Sequence, residues 1–319
     1  MTGSALPARA PYRRRLTALA AGCTLLGAAL AGIAVPAQAA SAQAVTHHAA
    51  ARQADPVAAA QALAAPGVPG ANDWSCKPSS AHPRPVVLVH GTFANGSVNW
   101  LTVAPALAAD GYCVFALTYG AEADVPVLRA IAPVADSAQQ LSTFVDGVLA
   151  ATGTGQVDMV GHSQGGMMPR YYMKFDGGAA KVHTLVALAP SNHGTTLDGL
   201  TTLAQSFPGA VDVVGSLCPA CTDQIVGSDA LTRLNAGGDT LPGVTYWVIA
   251  TRYDEVVTPY QSQFLSGPNV HNVLVQDLCP ANIPDHVLMA TDLVVLHEVR
   301  HALDPADVGS ATCLANLTG

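Results

Sequence analysis

Val157-Asp158-Met159-Val160-Gly161-His162-Ser163-Gln164-Gly165-Gly166 is the stretch from which the rest of the chain can be read. Residues 161–165 match G-x-S-x-G, an apolar run precedes them, and residues from Gly166 to about Phe175 read as helix. In that strand–turn–helix context the pattern marks a nucleophile elbow, a serine held exposed on a strained turn. So sharp a turn crowds the residues two before and two after the serine, where side chains would clash, which accounts for Gly161 and Gly165. A surface turn that merely contains serine has no need of the flanking strand and helix. Ser163 is the candidate nucleophile.

A second signal lies about seventy residues upstream. Arg84-Pro85-Val86-Val87-Leu88-Val89-His90-Gly91 is a β-branched run ending in His-Gly, followed by Thr92-Phe93-Ala94-Asn95-Gly96. Where such an elbow occurs, one oxyanion N–H comes from the residue after the nucleophile and the other from the loop after an earlier strand. Those positions are Gln164 and Thr92, whose hydroxyl is a further possible donor. Gly91 would let the backbone come close.

The remaining periodicities fill in an α/β order. Tyr112–Tyr119, Val182–Ala189, Val244–Thr251 and His271–Gln276 read as strands. Trp100–Ala109, Ala135–Ala151 and Thr291–Leu303 read as helices, the second with Leu141, Phe144, Val145, Val148 and Leu149 on one stripe. Such alternation implies a mostly parallel central sheet covered by helices on both faces, with its site at the carboxyl ends of the strands.

Together PVVLVHGTFANG, GHSQGG, APSNHGTTLDGL (189–200) and TRYDEVVTPY (251–260) resemble a secreted actinobacterial lipase/esterase of the α/β-hydrolase superfamily. The group is distantly similar to fungal lipases of the Candida antarctica lipase B type. The resemblance runs from about Trp74 onward and implies an α/β-hydrolase fold with a small cap or lid insertion. It also implies the chain order serine, acid, histidine. Asp254, just past a strand, is the acid the family pattern selects, with adjacent Glu255 as its competitor. His286, ten residues beyond Gln276, is the expected histidine. His297 and His301 fall inside the last helix and read as surface residues, while His90 and His193 sit on loops expected to form the pocket wall.

The N-terminus reads as a signal peptide over residues 1–40. It has Arg13-Arg14-Arg15, an apolar stretch from Leu16 to Val35, and the A-x-A-like site Ala37-Gln38-Ala39. Sec export with cleavage near residue 40 is the expectation, although the arginine cluster also leaves the twin-arginine route open. Residues 41–71 are Ala/Gln/Pro/Gly-rich with few large apolar side chains, and read as a disordered linker or short pro-segment. Residues 72–319 are the size of one catalytic domain. The full chain carries a formal charge of −8. Four arginines and no acid fall within 1–40, so the remainder is near −12. That leaves no electrostatic footprint for nucleic acid or an anionic membrane.

Six cysteines remain beyond the leader, and an even count in an exported chain reads as three disulfides. The layout favours Cys76–Cys113, joining the approach to the first core strand with the start of its neighbour. It pairs Cys279 after a late strand with Cys313 in the tail, and leaves Cys218–Cys221 to close locally. A redox or zinc reading of Cys218-Pro-Ala-Cys221 lacks the further ligands or the strand-to-helix setting it would need. No metal and no cofactor is implied.

Residues 189–244 form a connection too long to be simple. Its apolar residues, among them Leu200, Leu203, Phe207 and Val214, would either cap an acyl pocket or pack as ordinary core. The overall expectation is a monomeric, secreted serine carboxylester hydrolase whose partner is a lipid-like ester, in transient contact with a lipid or polymer surface. A polyester hydrolase of the cutin or suberin type, or an acyltransferase, would use the same triad. A non-catalytic binding module of this fold usually lacks a triad member, and here all three candidates are present.

Overall fold

Six short apolar runs form one sheet: β1 (Val86–Val89), β2 (Val114–Ala116), β3 (Val157–His162), β4 (Val182–Leu188), β5 (Thr245–Ala250) and β6 (Val270–Leu274). Their order is β2-β1-β3-β4-β5-β6, and every neighbouring pair is parallel. The computed structural model describes residues 55–125, 127–214 and 217–313, so the expected leader lies outside the described residues. β1 and β3 are buried at every position, which is why they read as continuous apolar runs rather than as alternations.

Parallel neighbours need crossovers, and the helices supply them. After α1 (Pro56–Gln61), α2 (Gly96–Asn99) and α3 (Val103–Ala109) lead from β1 to β2, α4 (Val134–Thr152) to β3, and α5 (Gln164–Phe175) to β4. The long connection carries α6 (Leu197–Ala204), α7 (Pro219–Asp223) and α8 (Asp229–Asn235). α9 (Val275–Leu278) and α10 (Leu293–Leu303) follow β6. On one face Leu141, Phe144, Val145 and Val148 of α4 pack with Met167 and Met168 of α5 over Met159. On the other, Leu107 of α3 and Val295 and Val299 of α10 share a core with Leu88, Val186 and Ile249. The two methionines after the elbow are therefore core residues. α4 ends where Gly153 takes φ 77° and returns its N–H to Leu149, a left-handed cap suited to glycine.

From β1 the chain steps to β2 on one side and then returns to place β3 on the other. A crevice opens at the carboxyl ends of strands where the order reverses in this way. Thr92 lies just beyond β1 and Ser163 just beyond β3, so both expected site loops meet there.

The long connection is divided, with Leu231 and Leu234 of α8 joining the core on the α4–α5 face of the sheet and the earlier part packing elsewhere. Leu200, Leu203, Val213, Val214 and Cys221 form a separate core with Phe93, Leu128, Ile131 and Val256, above the strand ends. The cap and core alternatives thus combine, since one set of residues packs the insertion onto the loops that surround the crevice.

The expectation of disorder over 41–71 is corrected for residues 55–71, which are ordered against the fold. Asp55 caps α1 through Val57 N–H at 3.0 Å, and Ala60 is wholly buried. A Cβ on Gly147 of α4 would stand 2.2 Å from that of Ala60, so the two helices meet at their smallest residues. Ala65 N–H donates to Ala116 O and Thr118 N–H to Leu63 O, both at 2.8 Å. β2 is an edge strand, and this segment occupies its open backbone groups. The attachment uses main chain and alanines, which a search for large apolar side chains overlooks. Residues 41–54 lie outside those described.

The cysteines pair as Cys76–Cys113, Cys218–Cys221 and Cys279–Cys313, with Cα separations of 5.8, 5.2 and 4.7 Å.

Candidate active site

Ser163 sits between β3 and α5 at φ 57° and ψ −124°, a conformation that side-chain-bearing residues rarely hold without support. The support is close packing. A Cβ on Gly161 would lie 1.9 Å from Gly165 O, and one on Gly165 would lie 2.0 Å from Val89 O. The Ser163 N–H donates to Leu188 O at 2.8 Å, tying the turn to β4.

The loops after β5 and β6 bring two further side chains to this turn. Ser163 Oγ–H donates to His286 Nε2 at 2.9 Å. His286 Nδ1–H faces both Asp254 oxygens, Oδ2 at 2.9 Å and Oδ1 at 3.0 Å. Asp254 also accepts the backbone N–H groups of Val256 and Val257 and the side-chain amide of Gln263. Burial works against charge on Asp254, yet His286 and these donors outweigh it and hold its carboxyl below the ordinary range. Burial likewise disfavours charge on His286, but Asp254, then Glu255 and Asp285, outweigh it and raise its pKa. Glu255 accepts the backbone N–H of His286 at 3.3 Å, whereas the ring is held by Asp254.

The histidine loop is fastened from several directions. Thr251 Oγ1 donates to Pro284 O, Gln276 donates to Asn282 O, and Cys279 is bridged to Cys313. His162 Nε2–H donates to the carbonyl of His286 itself at 2.9 Å. Burial pushes the His162 pKa down to about 3, with the neighbouring His286 acting in the same direction, so this ring is neutral. Its Nδ1 lies 3.1 Å from Asn99 Oδ1, which accepts Gly91 N–H.

Thr92 and Gln164 approach Ser163 from β1 and from the start of α5. Gly91 makes room, since a Cβ there would lie 3.0 Å from that of Ser163. The Thr92 hydroxyl donates to Gln164 Oε1 at 2.8 Å, and both residues are buried.

A cavity of about 260 Å³ opens over the serine, lined by Ala94, Val98, Leu203, Phe207, Val287 and Leu288 with Ser163, His162 and His286. Leu203 and Phe207 come from the long connection. His90 and His193 do not line it. His90 stacks on Tyr119 beneath the loop, with ring centroids 4.4 Å apart, and His193 bonds to Ser262 O and Asp239. His297 and His301 bond to the tail carbonyls of Gly309 and Val308. Sequence reasoning overlooked His162, Asn99 and Gln263. His162 was visible as the variable position inside the elbow motif, but the others carry no spacing that would mark them.

The six-stranded sheet with its serine elbow at the strand-order reversal is an α/β-hydrolase fold. Residues 83–278 match the lipase (class 2) family, and the chain belongs to it. Among solved structures it is similar to Aspergillus fumigatus lipase B, at 18% identity and a TM-score of 0.58 over 78% of this chain. It spans 59% of that lipase's length. It is also similar to the mature form of Bacillus licheniformis lipase BlEst2, at 18% identity and a TM-score of 0.51, covering 70% of this chain and 94% of the other.

Proposed function

We propose that the protein is a secreted carboxylester hydrolase acting on lipid-like esters, with Ser163 as nucleophile, His286 as general base and acid, and Asp254 as the residue that orients and charges the base. The observation that carries this is the continuous chain from Ser163 Oγ through His286 to Asp254, with no link longer than 3.0 Å, at the floor of an apolar cavity. Class 2 lipase membership supports ester hydrolysis over other uses of the fold.

A serine hydroxyl is a weak nucleophile near neutral pH. As Ser163 Oγ attacks the ester carbonyl, its proton passes to His286 Nε2. The imidazolium is stabilised by Asp254, whose hydrogen bond to Nδ1–H also fixes the tautomer. Negative charge on the carbonyl oxygen is met by the N–H groups of Thr92 and Gln164, donors of a kind worth about 3–4 kcal/mol each. His286 then gives its proton to the leaving alcohol. The acyl-enzyme is hydrolysed by water activated in the same way.

The cavity favours an apolar acyl group, because Ala94, Val98, Leu203 and Phe207 offer contact without polar competition. Three disulfides suit an oxidising compartment and support export. We place a leader at residues 1–40 and extend the catalytic domain upstream to include residue 55. The test is a chain-length series of p-nitrophenyl esters beside an emulsified triglyceride, together with labelling by a phosphonate ester. Turnover that rises with acyl length, and label on Ser163, are expected. Label elsewhere, or no turnover of any ester, overturns the proposal.

A further inference from the structure

The long connection between β4 and β5 does more than line the cavity. Gln224, directly after α7, is 1% exposed, and its side chain reaches back to the loop after β1. Its Nε2 donates to Thr92 Oγ1 at 3.0 Å and to Ala220 O at 3.1 Å. Its Oε1 accepts the hydroxyl of Ser191 at 2.9 Å. Because the Thr92 hydroxyl donates in turn to Gln164 Oε1, four buried side chains form one chain with a consistent direction, from Ser191 to Gln224, Thr92 and Gln164.

The backbone N–H groups of Thr92 and Gln164 come from loops on opposite sides of the strand-order reversal. Oxyanion donors help only when they are already aimed at the place where charge develops, and small misplacements of catalytic groups cost rate steeply. Thr92 and Gln164 are joined through their side chains, and Gln224 occupies the acceptor side of the Thr92 hydroxyl. Without Gln224 that hydroxyl loses a buried partner and is free to turn. Gln224 is itself well anchored. Its N–H returns to Ala220 O, its carbonyl accepts Thr195 N–H at 2.8 Å, and Cys218–Cys221 closes the turn of α7 beneath it.

We propose that Gln224 is a positioning residue of the oxyanion site, contributed by the insertion and acting through Thr92 to align the donors of Thr92 and Gln164. This rests on the ester-hydrolase reading above. It also assigns the α7 part of the insertion a fixed place against the catalytic loops, in contrast to a lid that swings clear as a unit.

The test compares the full-length exported protein with Gln224→Met and Gln224→Glu, using a water-soluble p-nitrophenyl ester so that interfacial binding does not enter. Gln224→Met keeps length and volume but removes the donor. We expect kcat to fall about 10- to 100-fold, less than the full loss of an oxyanion donor, with KM within about twofold and the protein still folded at assay temperature, its melting temperature lowered by the buried hydroxyls of Thr92 and Ser191 that lose a partner. Gln224→Glu places a negative charge close to the developing oxyanion, so kcat falls further, again without a matching rise in KM. Affinity for a boronic acid that mimics the tetrahedral state should fall in parallel with kcat. If Gln224→Met does not fold, Ser191→Ala, which releases only the Oε1 anchor, should lower kcat in the same direction by a smaller factor. A folded Gln224→Met with kcat within twofold of wild type overturns the inference alone, as does a change confined to KM. A wild-type protein inert towards all esters overturns both this inference and the reading beneath it.

Discussion

Asp254 and Glu255 are adjacent carboxylates with different surroundings. Asp254 is buried and receives His286 Nδ1–H, two backbone N–H groups and the Gln263 amide, whereas Glu255 meets only the main chain of His286. Asp254→Asn should therefore lower kcat by about 10⁴, as the loss of the orienting carboxylate does in comparable triads. Glu255→Gln should lower it less than tenfold, and steady-state kinetics on one ester would expose a reversal. Ser163→Ala should abolish turnover in a protein that still melts cooperatively. On the proposed mechanism the raised pKa of His286 sets the pH dependence. The base must be neutral to accept a proton, so kcat/KM should fall on the acid side with a midpoint above the ordinary 6.5 of histidine. A pH–rate profile with its acid midpoint below 6.5 would contradict that assignment. At this scale the position of Ser163 on a strained turn was legible because such a turn demands glycines on both sides, and the meeting of His286 with it because chain order confines a histidine there. Gln263, Asn99 and Gln224 were not, since a buried amide finds its partner through tertiary contacts that leave no periodicity.

The elements most readable in the chain were those whose burial follows a simple repeat. α4 was visible from the apolar stripe Leu141, Phe144, Val145 and Val148, and β3 from its unbroken run into the elbow. The segment 55–71 was illegible for the opposite reason, because it joins the fold through alanines and backbone bonds along an edge strand. That attachment can be tested directly. Ala60 faces Gly147 with no spare room, so Ala60→Leu should overpack the α1–α4 contact and cost about 1–3 kcal/mol. Denaturant unfolding that gave an unchanged midpoint would show the segment to be loosely held. At the elbow, Gly165→Ala would drive a methyl group into the Val89 carbonyl, and loss of both activity and soluble expression is expected.

Across the whole molecule, the loop bearing His286 is held far from where it begins. Cys279 lies seven residues before His286 and is bridged to Cys313, 34 residues further along the chain. In the chain-entropy picture a loop of that length contributes about 3–4 kcal/mol. Replacing both cysteines by serine should lower the melting temperature and also kcat, because His286, the proposed base, loses one of its fastenings. Peptide mapping under non-reducing conditions would check the pairing, and a double variant with wild-type kcat would show that the bridge serves stability alone.

The position of that bridge also bears on the order in which the molecule matures. During synthesis, the serine turn and the loop bearing Asp254 emerge well before Cys313, which follows every helix and strand described here. The fastening that Cys279–Cys313 adds to the histidine loop can form only when that late cysteine has been made and oxidised. A chain interrupted after α10 would carry Ser163, Asp254 and His286 and lack only this clasp, its histidine loop held by hydrogen bonds alone. Of the fastenings on this loop the bridge is therefore the one added latest, and it alone depends on an oxidant, whereas the hydrogen bonds from Thr251, Gln276 and His162 need none.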